Sequence, residues 1–189
     1  MARCVYALAG GVGIECDDLN AQIGVDRDLI LVNYDEFDRA TTMGNVESDD
    51  TNDNIGGLNN ITLFAGATQH VFEGMDYSVV PTVTPEIKED GTVWYDHSLL
   101  FTVYSKSSVA RTVIESLGGS RVIAIVSERS TGLFELFGAD QGLSLSGVDR
   151  AYVGTQTSNF YNVTIATPAI GVVKEGTLGL LAVQIVTAP

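Results

Sequence analysis

Four side chains in this sequence are the cysteines and histidines that zinc motifs use: Cys4, Cys16, His70 and His97. Specific zinc motifs carry ligands in closely spaced pairs. Here the two cysteines stand 12 residues apart and the histidines stand alone, so that pattern is missing. Asp50-Thr51-Asn52-Asp53-Asn54-Ile55-Gly56 has the composition of a calcium loop. A hand-type loop needs glycine at its sixth place and a carboxylate at its twelfth, and counting from Asp50 those places hold Ile55 and Ile61. Weak cation binding by a solvated acidic loop stays open. Gly11-Val12-Gly13-Ile14-Glu15-Cys16 begins like a dinucleotide fingerprint, but it lacks the third glycine and no apolar helix follows. A hydrolytic triad needs a base facing its nucleophile. His97 and Ser98 are neighbours on one strand, where successive side chains point to opposite faces, and no nucleophile elbow is present. Asn60-Ile61-Thr62 and Asn162-Val163-Thr164 match glycosylation sequons, which mean nothing without a secretion signal. The expectation is a chain with no catalytic residue, no metal and no cofactor.

Charge is the stronger signal. The chain carries 24 acidic and 10 basic residues, a net −14, and half of the acid lies in the first 54 residues beside three arginines. Much of it falls in one polar run that includes Asp35, Glu36, Asp38, Glu47, Asp49, Asp50 and Asp53. Such a surface does not grip nucleic acid, because phosphate binding needs clustered Lys/Arg. It is compatible with nucleic acid passing nearby, since a like-charged wall repels. Charged residues make up only 18% of the sequence and apolar ones 45%, against roughly 25% charged in ordinary soluble domains. A charge-poor surface predicts burial by neighbouring subunits, that is, a homo-oligomer. Cys4 and Cys16 read as reduced thiols or an incidental pair. Arg3 precedes an apolar stretch too short for a secretion signal. The apolar run 169–189 is broken by Lys174, Glu175 and three glycines, so no membrane anchor is expected. Synthesis in a cytoplasm follows.

These residues need elements to position them. The 189 residues suit one domain, with an irregular N-terminal arm over 1–26 and a long acidic loop over 34–57. Strands are predicted at 28–33, 61–64, 70–80, 92–104, 121–127, 133–137, 160–166 and 178–186. The clearest is 92–104, with Val93, Tyr95, His97, Leu99, Phe101 and Val103 on one face. Lys88-Glu89-Asp90-Gly91 reads as a hairpin turn with Gly91 at positive φ, and Glu128 to Gly132 as a second. One helix is credible over about 107–118: Ser107 or Ser108 caps it, Val109, Val113 and Leu117 share a face, and Gly118-Gly119 ends it. The fold class is therefore mainly β: an antiparallel sandwich or barrel with one flanking α-helix.

Two segments carry a resemblance. The first is Gly13-Ile14-Glu15-Cys16-Asp17-Asp18-Leu19-Asn20-Ala21-Gln22-Ile23-Gly24, followed by Leu29-Ile30-Leu31-Val32-Asn33-Tyr34-Asp35-Glu36-Phe37. The second is Leu133-Phe134-Glu135-Leu136-Phe137-Gly138-Ala139-Asp140-Gln141-Gly142-Leu143, then a variable stretch and Asn159-Phe160-Tyr161-Asn162-Val163-Thr164. Together they resemble a family of tailed-bacteriophage structural proteins, the tail tube proteins of phages of Bacteroidetes-type hosts. Val153-Gly154-Thr155-Gln156-Thr157-Ser158 stands where that family has a glycine-aspartate stretch. The resemblance implies a β-sandwich with one helix, stacked as hexameric rings around a lumen in the virion tail. Other tail proteins would be its partners, DNA would pass without specific binding, and the acidic loop would face the lumen or the next ring. A capsid decoration or neck protein, and a carbohydrate-binding β-sandwich, are the rival expectations.

Overall fold

In a computed structural model, the structure describes residues 25–44, 57–75, 78–105, 107–129, 132–150, 160–168, 175–177 and 179–188. The arm over 1–24, both cysteines, and Glu47, Asp49, Asp50 and Asp53 lie outside the described residues. In chain order come β1 (Val25–Asn33), a 3₁₀ turn (Tyr34–Glu36), α1 (Arg39–Gly44), β2 (Gly57–Leu63), β3 (His70–Glu73), β4 (Val79–Ile87) and β5 (Val93–Val103). Then follow α2 (Ser108–Leu117), β6 (Val122–Glu128), β7 (Phe134–Phe137), β8 (Ser144–Arg150), β9 (Tyr161–Ala166) and β10 (Leu180–Thr187).

The fold is mainly β, in two sheets. One has six strands in the order β2-β10-β7-β6-β1-β3, the other four in the order β4-β5-β9-β8. Neighbours are antiparallel, with the single exception among the described residues of the β10–β2 pair, which is parallel. Between the sheets, Leu29 and Leu31 of β1, Ala124 and Val126 of β6 and Phe137 of β7 pack with Leu99 and Phe101 of β5 and Val163 and Ile165 of β9. Each of these side chains other than Ala124 is worth roughly 1.5–3 kcal/mol of burial. The opposite face of the six-stranded sheet is buried as well: Val32, Ile123, Ile125, Leu136, Leu180 and Ala182 form a second cluster with Phe37 and Met43. That double burial is why β6 opens with five apolar residues in a row, Val-Ile-Ala-Ile-Val, before Ser127 and Glu128.

Several sequence expectations sharpen here. Gly91 turns the β4–β5 hairpin at φ 84°, with Ile87 opposite Val93. The Ser107 side chain caps α2 by accepting the Ala110 N–H at 3.1 Å; Ile114 and Leu117 are buried, whereas Val109, expected on the same face, is exposed. The stretch 70–80, read as one strand, is two strands in different sheets, divided after Glu73 by a turn in which Ser78 N–H bonds the Met75 carbonyl. The loop expected over 34–57 is not loop at its start, because Tyr34–Glu36 and Arg39–Gly44 are helical turns laid along β2. There Asp38 N–H donates to Thr62 O, Phe64 N–H to Glu36 O, and Phe37 bridges to Leu63. This covers part of the free edge of β2. On the edge strand β4, the even-numbered residues face β5, as the Lys88 N–H to Thr92 O and Thr102 N–H to Ser78 O bonds fix. Pro81 and Pro85 therefore fall on outward-facing positions, where a missing N–H breaks no ladder bond.

Candidate functional site

Two of the three described acids of the expected site, Asp38 and Glu36, serve local structure. Asp38 accepts the backbone N–H and the hydroxyl of Thr41, at 3.0 and 2.6 Å, and so starts α1. The Thr41 hydroxyl, then its N–H, hold the Asp38 carboxyl below its ordinary range. Glu36 accepts the Thr68 N–H at 2.9 Å, and Asp35 is exposed.

The polar centre of the fold lies elsewhere, around Glu175. This carboxylate is 0% exposed. Its two oxygens take the consecutive N–H groups of Asp140 (2.7 Å) and Gln141 (2.9 Å). The turn after β7 aims those groups. Gly138 and Gly142 sit at φ 79° and 71°, and a Cβ at Gly138 would come within 2.8 Å of Leu143 Cγ, so only glycine fits. Asp140 is bound in turn: its carboxylate pairs with Arg39 and takes the Gly176 N–H at 2.8 Å, and its carbonyl takes the Tyr34 hydroxyl at 2.7 Å. The two segments that carry the resemblance, one ending near Tyr34 and the other running through Asp140, therefore meet in space.

His97 belongs to the same knot. Its Nδ1 accepts the Gly138 N–H at 3.2 Å, which leaves the proton on Nε2 to donate to the Thr177 carbonyl at 2.8 Å. The ring packs edge-on against Phe137. Residues 175–177 are thus held by the His97 ring, by Asp140, by their own Glu175 carboxylate, and by the Tyr95 N–H on the Glu175 carbonyl. Burial pushes the Glu175 carboxyl up to about 7, against the opposing pull of the two N–H bonds and Arg39. Burial likewise holds His97 below its ordinary value.

A raised carboxyl and a buried imidazole are the ingredients of acid–base catalysis. Here both carboxylate oxygens and both ring nitrogens are already engaged by backbone, and Glu175 has no exposed surface. The arrangement is a clamp that fastens the 175–177 segment to both sheets. Among the described residues, no group of three or more His, Cys, Asp or Glu is placed to hold a metal ion, and no helix is long and apolar enough to cross a membrane. Sequence reasoning treated Glu175 only as a break in an apolar run. Its signal was isolation, since it is the sole acid after Asp149.

The outer surface is sticky. Val80 pairs with Leu100 and Ile87 with Val93 across the β4–β5 hairpin, and all four are exposed, Ile87 at 74%. Leu181 and Val183 of β10 are exposed too. Two grooves flank α2: one of about 630 Å³ toward β3, lined by Val71, Tyr104 and Val109 among others, and one of about 370 Å³ toward β8. No protein-family model, curated protein or solved structure matches this chain.

Proposed function

We propose that this chain is a tail tube subunit of a tailed bacteriophage, building stacked hexameric rings that conduct DNA from the virion into the host. The observation that carries the reading is the pair of exposed apolar contacts on β4, which is an edge strand among the described residues of a charge-poor sandwich: Ile87 with Val93 on one face of the sheet and Val80 with Leu100 on the other. A ring closes through two different complementary patches on each subunit, and strand edges with exposed apolar neighbours supply such patches. The sequence resemblance names the assembly, and the net −14 suits a conduit through which DNA slides without sticking. Asp35, Glu36, Asp38, Glu47, Asp49, Asp50 and Asp53 would face the lumen or the next ring.

Electron microscopy of the purified chain, alone and with a tail initiator, tests this. Rings or tubes with a bore of duplex width are expected, whereas monomers under every condition would overturn it. Trimers or a solitary ring point instead to a capsid decoration or neck protein. A melting temperature that climbs with added glycan and calcium points to a carbohydrate-binding module.

A further inference from the structure

The groove between α2 and β8 differs from the rest of this acidic surface. Arg111 on α2 and Arg150 at the end of β8 both line it, and Ile114, Leu145, Val148 and Tyr161 form its floor and walls. Two of the ten basic residues in the chain therefore converge on one apolar cleft. Arg150 lies over the Tyr161 ring, 5.2 Å from its centre. Both arginines also engage groups of their own chain. A guanidinium carries five donors in a fixed fork, so it can bond a second carboxylate beside a partner it already has. Glu115 lines the groove beside them.

We propose that this groove docks the acidic segment 45–56 of a second copy of the chain, with carboxylates from Glu47, Asp49, Asp50 and Asp53 on Arg111 and Arg150. The occupant follows from charge complementarity. Residues 45–56 hold four acids and no base, and they have Val46 and Ile55 at their ends for an apolar floor. A protein with 24 acids has few places where such a run is not repelled. The inference rests on the reading that copies of this chain assemble. Of the two roles open to the run, it selects contact between copies over a lumen wall.

The test is the binding of a labelled synthetic 45–56 peptide to the full chain, followed by fluorescence anisotropy at low and high salt. Saturable, salt-sensitive binding is expected, weakened about tenfold or more in R111E/R150E. A peptide with its four acids changed to lysine should reverse the preference and bind R111E/R150E better than the unaltered chain. Equal binding to both proteins, or loss without rescue by the swapped peptide, overturns the proposal. R111Q/R150Q, with its fold checked by circular dichroism, stands in if the charge reversal does not fold. A chain that binds the peptide through these arginines but never forms rings would keep this inference and lose the tube. Rings that form unchanged in R111E/R150E, with no peptide binding, would do the reverse.

Discussion

The interior between the two sheets and the knot around Glu175 both bury their central side chains, yet they are held by different forces. Around Phe101 the packing is dispersion and apolar burial among many neighbours, so every partner is replaceable in kind if not in shape. Around Glu175 a few directed bonds do the holding, and each buried group has a named partner whose loss leaves it unsatisfied. The first region ignores pH. The second contains a carboxyl and an imidazole that burial drives toward their neutral forms from opposite directions. A fold can thus keep a robust centre and still tie down one segment, 175–177, by means that respond to protons.

The largest effect that would break this contrast lies in the apolar region. Phe101→Ala should cost about 3–5 kcal/mol in denaturant-induced unfolding, equally at pH 5 and pH 8. A pH-dependent loss there would erase the distinction. Glu175→Ala comes next, at about 2–3 kcal/mol, because it takes the acceptor from the half-buried Asp140 and Gln141 N–H groups.

The sharper test is Glu175→Gln measured across pH. In the unfolded chain Glu175 titrates at its ordinary 4.5 and in the folded chain at about 7, so the folded state binds more protons between those values. Its contribution is therefore full below about 4.5 and is lost as pH rises through about 7. His97 runs the other way. Its folded value is depressed, so its contribution is present above the ordinary 6.5 and fades as pH falls. Subtracting the Glu175→Gln profile from that of the unaltered chain should leave a decline between pH 4.5 and 7; a flat difference would sink the clamp as described. The smallest effect is local: Ser107→Ala should cost about 1 kcal/mol and speed exchange of the Ala110 amide without touching residues 175–177.

Much of the sandwich is legible in the amino-acid order because local rules and tertiary demands agree there. His97, Leu99 and Phe101 alternate on a strand whose one face is buried, and Gly91 and Ser107 act where their chemistry predicts. The misses fall where the two part company. Residues 81–87 contain two prolines, which normally demote a strand, yet at the rim of a sheet they break no bond. β8 reads Ser-Leu-Ser-Gly-Val-Asp-Arg and its register shifts between Leu145 and Gly147, which blurs its alternation. The parallel β10–β2 pair joins residues more than a hundred positions apart and leaves no local trace. The Glu175 clamp is invisible for the same reason, since its partners come from β5 and from the turn after β7, both remote in sequence.

The two prolines of β4 have a consequence for growth. Two identical β4 rims laid against each other in antiparallel fashion would face each other's carbonyls at positions 81 and 85 with no hydrogen to share. Self-mating through a two-fold axis is thereby handicapped, and a strand of unlike sequence, rich in donors, is the better match. Contacts between unlike patches give an assembly a front and a back. Polarity along a polymer would then be written into a pair of missing protons.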